Sequence, residues 1–116
     1  MQSEDPSWSP ERTEALRLLA DVYLGQEQID KALILLRALA RLAPEDAGVW
    51  RALGYASLRA GQAEEALVAA DTLLGLDAAM PANAPVLLLR ALALRALGRA
   101  AEAQDGLRRY LELSGA

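Results

Sequence analysis

The chain has 116 residues and a formal net charge of −4, from 12 basic and 16 acidic residues. The two signs are interspersed, so no basic stripe exists to follow a phosphate backbone, and nucleic acid is excluded as a natural partner. Hydrophobic residues make up 53% although Phe is absent, and 25 Ala and 24 Leu supply most of them, a composition suited to closely packed helices and not to a sheet.

Residues 1–9 are read as a flexible leader, because two prolines and several polar residues precede any apolar period. Trp8 stands out in it, either folded back on the first helix as a hydrophobic staple or held for a partner. Ser9-Pro10-Glu11 then reads as an N-cap, a first-position proline and a first-turn acid. Apolar spacing predicts six helices, at 10–25, 29–42, 47–60, 63–75, 84–97 and 100–114. Gly61 and Gly98 separate apolar segments as left-handed helix terminators do. Residues 10–116 are expected to form a single domain.

An internal period organises these helices. Leu16, Leu19, Ala20, Ala32, Leu39 and Pro44 are followed 34 residues later by Trp50, Leu53, Gly54, Ala66, Leu73 and Ala78. The third copy is displaced by 37, carrying Gly61 to Gly98 and Ala66 to Ala103, with the three extra residues in the loop 78–85. Repeats therefore run at about 13–46, 47–80 and 84–116. Small residues at Ala20/Gly54/Ala91 and Ala32/Ala66/Ala103 suit close helix crossings, and Leu16/Trp50/Leu87 suit the seam to the neighbouring pair.

Little chemistry is available to this chain. It has no His and no Cys, which removes the usual general base, the thiol nucleophile and the soft metal ligands. The adjacent acids Glu64-Glu65 and Glu45-Asp46 point about 100° apart on a helix and cannot converge on one atom. Gly25, Gly48, Gly54, Gly61, Gly75 and Gly98 are isolated and lead into no Lys-Ser/Thr pair, so no phosphate loop is present. No catalytic residue, metal site or cofactor is expected, and the chain is not read as an enzyme. The polar start Met1-Gln2-Ser3-Glu4-Asp5-Pro6 and the lack of an 18-residue uncharged stretch point to a cytoplasmic protein without membrane insertion.

The motif W-x2-L-G-x2-Y is met by Trp50, Leu53 and Gly54, with Ser57 in place of its Tyr, while the first repeat supplies Leu16, Leu19, Ala20, Tyr23, Ala32 and Pro44. With its period, the chain resembles the tetratricopeptide superfamily. The resemblance implies an all-α fold of three helix-turn-helix repeats, six antiparallel helices in a short right-handed solenoid without a separate capping helix. It also implies that the first helix of each pair lines a concave, protein-binding face. Counting from the repeat starts, inward positions are Glu14, Arg17, Asp21, Leu24, then Gly48, Arg51, Tyr55, Leu58, then Pro85, Leu88, Leu92, Arg95. That groove runs from polar to apolar. Leu24, Arg51, Tyr55, Leu58, Leu88, Leu92 and Arg95 are its candidate partner contacts, although Leu88 and Leu92 also fit simple core packing.

Leu107, Tyr110 and Leu111 lie on a last helix that no further repeat covers, so either the chain dimerises or another protein supplies the cover. The two-carboxylate clamp of some family members is missing, since Asp21, Tyr55 and Leu92 stand where its Asn residues are expected. Three repeats and the ending Leu107-Arg108-Arg109-Tyr110-Leu111-Glu112-Leu113 resemble the small bacterial type III secretion chaperones of the SctY type. That likeness implies a heterodimer whose groove holds a helical segment of a small secreted partner of the SctX type and presents it to the export gate. The alternative reading is a generic bacterial scaffold module that homo-oligomerises through its uncapped last helix.

Overall fold

The computed structural model describes residues 9–76, 84–113 and 115. They form six helices and, among the described residues, no strand: α1 (Pro10–Gly25), α2 (Ile29–Leu42), α3 (Ala47–Arg59), α4 (Ala63–Leu76), α5 (Ala84–Ala96) and α6 (Ala100–Leu113). Each predicted helix is present, with ends displaced by at most one residue. The leader with Trp8 and most of the loop 78–85 lie outside the described residues. Consecutive helices pack as antiparallel pairs, and α3 also touches α1 and α5, which stacks the pairs into a solenoid of 53 × 31 × 20 Å.

Local chemistry explains where each helix starts and stops. The Ser9 hydroxyl accepts from the Arg12 amide at 3.2 Å, and the Asp46 carboxylate accepts from the Val49 amide at 3.3 Å, so α1 and α3 begin on side-chain caps. The three turns inside the pairs share one geometry. Amides of Gln28, Gln62 and Arg99 donate to the carbonyls of Tyr23, Ser57 and Leu94 at 2.8, 2.8 and 2.9 Å, the long bond of a Schellman motif. The left-handed residue this motif requires is Gly61 (φ 77°) and Gly98 (φ 80°), as the sequence predicts, but Glu27 (φ 61°) in the first repeat. A side chain there costs roughly 1 kcal/mol. Gly61→Ala is accordingly expected to lower stability by about 1 kcal/mol in urea denaturation, whereas Glu27→Gly should leave stability unchanged or raise it.

Packing follows the small-large alternation of the repeat. Leu24, Leu36, Leu39, Val49, Leu53 and Ala56 are buried in one cluster that joins the first two pairs. A second cluster of Ala70, Leu73 and Val86 joins the last two. Trp50 packs against both clusters, and its indole N–H donates to the Pro44 carbonyl at 2.8 Å. Ser57, at the position of the expected Tyr, is fully buried and donates its hydroxyl to the Leu53 carbonyl, so the smaller side chain costs no unsatisfied group. Gly54 makes the closest approach: a Cβ there would sit 2.6 Å from Leu89 Cδ2 and 3.4 Å from the Ala69 Cβ.

Ion pairs cross the joints between repeats. Arg37 grips Glu65 with two bonds of 2.7 and 2.8 Å, and Arg90 meets Asp71 at 2.6 Å. Exposed pairs of this kind contribute about 0–1 kcal/mol each. Within α1 and at the start of α6, Arg17 and Arg99 hold the carboxyls of Glu14 and Glu102 below the usual glutamate range, chiefly by direct hydrogen bonds. A lowered folded-state pKa stabilises the protein above the unfolded value and is lost as pH falls through the folded one. With no His in the chain, the thermal midpoint is expected to be flat from pH 6 to 8 and to decline only on acidification below about 4.5, as scanning calorimetry across that range would register.

Candidate protein-binding groove

The first helices of the three pairs, α1, α3 and α5, carry the predicted inward positions. On α1 these are polar and satisfied within the chain. Arg17 bonds Glu14 at 2.6 Å and Asp21 at 3.2 Å, and its stem lies along α3, where a Cβ at Gly48 would come 3.3 Å from the Arg17 Cδ. Charge at this entrance is therefore largely neutralised in place. Leu24 does not join the groove. It is only 7% exposed and belongs to the core cluster, so it ties α1 to α2 and offers almost no area to a ligand.

Between α3 and α5 the surface opens into a pocket of about 250 Å³ lined by Arg51, Tyr55, Pro85, Val86 and Leu89. Arg51 and Tyr55 come from the predicted set and Pro85 from the predicted inward positions. Leu58, Leu88 and Leu92 are half-buried and Arg95 is exposed, none of them lining this pocket. Its apolar wall is instead Val86 and Leu89. Both sit on the side of α5 that faces α3, and Leu89 has its place because Gly54 leaves room beneath it. A helix apolar on nearly every side gives no face signal, which is why counting from the repeat start selects Leu88. The absence of a Cβ at residue 54 is the one sequence signal that points to Leu89.

Tyr55 is 49% exposed and held upright by its neighbours. Its hydroxyl accepts from Arg59 at 3.2 Å, and the same guanidinium lies 5.6 Å from the ring centre. Arg59 in turn bonds Glu27 at 2.6 Å, in the strained turn of the first repeat. The Tyr55 hydroxyl is the leading influence raising the Arg59 pKa above its usual value, so that cation stays charged at any working pH. Arg51 and Arg95 have no carboxylate partner among the described residues. The pocket thus combines an apolar floor, an aromatic edge and one cation, Arg51, that no carboxylate among the described residues pairs. Among the described residues no helix is long and apolar enough to cross a membrane, and no three carboxylates gather as a metal site.

The tetratricopeptide repeat family model matches residues 13–56. No curated protein matches the chain. Among solved structures, MamA AMB-1 superposes with a TM-score of 0.79 at 28% identity, over 92% of this chain and 62% of MamA. SycD, a type III secretion translocator chaperone of Yersinia enterocolitica, superposes with a TM-score of 0.79 at 26% identity, over 90% of this chain and 77% of SycD. MamA MSR-1 gives 0.77 at 25% identity, over 92% of this chain and 60% of its own length. The chain thus spans less than two thirds of these two MamA chains.

Proposed function

We propose that this chain, whose residues 13–56 match the tetratricopeptide repeat family model and whose fold resembles that of a type III secretion chaperone, is such a chaperone in the bacterial cytoplasm, holding a segment of a small secreted partner in its groove. The observation that carries this reading is the pocket between α3 and α5, where Val86 and Leu89 form an apolar floor beside an exposed Tyr55 and an Arg51 that no carboxylate among the described residues pairs. A rigid aromatic next to an arginine is the composition of interface hot spots. The segment that fits is amphipathic, with a bulky apolar side chain for the pocket and a carboxylate nearby for Arg51 or Arg95. A partner of the SctX type, handed on to the export gate, has this place in the scheme.

Co-expression with a small secreted protein encoded beside its gene, followed by size exclusion with light scattering, tests the proposal. The expected result is a one-to-one complex that survives dilution. A chain that elutes alone, and leaves the candidate insoluble, overturns it. Likeness to MamA favours a second reading, a scaffold built on self-association, which the same experiment on the isolated chain addresses.

A further inference from the structure

The two most exposed large apolar side chains among the described residues occupy equivalent places on the outer faces of α2 and α4. Ile34 is 69% exposed and Val68, 34 residues on, is 58% exposed. Val68 stays open although a helix pair stands on each side of its own, so stacking of repeats does not cover this face. Two turns further along, Leu42 and Leu76 repeat the pattern. Charge on the two faces is divided by sign. The exposed α2 face carries Lys31, Arg37 and Arg41 against the single acid Asp30, whereas α4 carries Glu64, Glu65 and Asp71 and no base. Arg37 and Asp71 keep 46% and 52% of their side chains open despite their pairs with Glu65 and Arg90.

The two helices run in the same direction, each antiparallel to α3, and the Arg37–Glu65 pair joins them side by side. A two-fold axis between α2 and α4, and parallel to them, lays α2 of each copy along α4 of the other. Each α2 residue then meets the α4 residue 34 places on. Lys31 meets the other copy's Glu65, Ile34 its Val68, Arg37 its Asp71 and Leu42 its Leu76. Apolar thus meets apolar and base meets acid, each contact occurring twice. Asp30 against Glu64 is the one like-charged pair.

Other two-fold arrangements lose this match. An axis through α4 sets Ile34 against Asp105 and Arg37 against Arg108, and one between α4 and α6 sets Glu65 against Glu102 and Val68 against Asp105. An axis across the helices lays α2 on α2 and α4 on α4, so that like charges meet.

We propose that two copies of this chain pair back to back about the axis between α2 and α4. Charge complementarity selects the second copy as occupant, because the face supplies both halves of the contact. Two 14-residue helices, about 21 Å long and about 10 Å wide, offer roughly 400 Å² per copy, about half of a standard interface. The dimer is therefore weak, with a dissociation constant on the order of 100 μM. Its symmetry closes it at two, and its ion pairs make it weaken as salt is added.

Sedimentation equilibrium of the whole chain, up to about 1 mM and at two salt concentrations, should show a monomer–dimer equilibrium with nothing larger and a dissociation constant that rises with salt. Ile34→Glu should weaken association at least about tenfold, and Lys31→Glu about fivefold at low salt only. Asp30→Asn should tighten it about twofold by removing the like-charged contact. Circular dichroism checks that each variant stays helical, and Val68→Glu replaces Ile34→Glu if that one does not.

Register is tested separately, since the chain has no Cys of its own. Ile34→Cys and Val68→Cys, mixed and left to oxidise in air, should give a disulfide-linked pair, while either alone gives far less. In the dimer the two copies of residue 34 lie on opposite sides of the axis, beyond the roughly 7 Å between Cα atoms that a disulfide spans. A chain that stays monomeric at 1 mM overturns the proposal and leaves the face to another protein or to none. Cross-linking of Ile34→Cys alone to the level of the mixture overturns it too, as does a dimer indifferent to Ile34→Glu. Ile34 lies on α2, away from the pocket between α3 and α5, so Ile34→Glu should still capture a groove partner and either reading can fail alone.

Discussion

Trp50→Ala is expected to lower the unfolding free energy by about 3 kcal/mol, a large share of the roughly 5–15 kcal/mol that a domain possesses. The side chain reaches both hydrophobic clusters and fixes the Pro44 carbonyl, so its loss opens the joint on each side of α3. Because Trp50 is half-buried, the cost stays at the lower end of what a core Trp deletion produces. Arrays of this kind depend on coupling between neighbouring repeats, and weakening the shared wall should broaden the transition as well as shift it. Urea denaturation followed by circular dichroism measures both. Trp50→Phe separates the contributions: it keeps most of the ring packing and gives up the hydrogen bond, for a loss of about 1 kcal/mol. Equal effects from the two substitutions would place the stabilisation in the hydrogen bond and not in the packing.

The fold was legible because its signals are local and repeated. Apolar periodicity locates each helix, Gly61 and Gly98 mark two turns, and the 34-residue spacing shows that the pairs stack. Glu27 could not be read this way. It has no left-handed preference, and only its Schellman hydrogen bonds, equivalent to those at Gly61 and Gly98, identify its role. The groove was legible on α3, where Arg51 and Tyr55 are polar or amphipathic residues on a helix whose other face is Val49, Leu53 and Ala56. It was not legible on α5. There Leu87, Leu88, Leu89, Leu92 and Leu94 surround the axis, and which of them meets α3 depends on how closely the helices approach over Gly54, a property of the pair and not of either sequence segment. Leu24, an inward position at the last turn of α1, is buried in the cluster that joins the first two pairs, a burial that counting along one helix does not show.

Tyr55→Ala should weaken capture of a groove partner by about 30-fold, the equivalent of about 2 kcal/mol at a hot-spot aromatic, while leaving the unfolding midpoint within error. The asymmetry follows from its surroundings. Half of the ring is open to solvent, and its hydrogen bond and its cation contact both go to Arg59, which keeps Glu27 when Tyr55 is gone. Arg51→Glu should act differently. It leaves the apolar floor intact and reverses the charge beside it, so association slows and its dependence on salt changes sign for a partner that carries a carboxylate. Gly54→Ala completes the set, because a Cβ there displaces Leu89 from beneath and deforms the floor while leaving Arg51 and Tyr55 in place. Titration calorimetry against the purified partner segment, at two salt concentrations, compares all three. If the segment lies between α3 and α5, Tyr55→Ala and Gly54→Ala weaken binding at both salt levels and Arg51→Glu mainly at the lower one. If it lies instead along the outer surface of α2 and α4, where Ile34 and Val68 are exposed, none of the three has an effect.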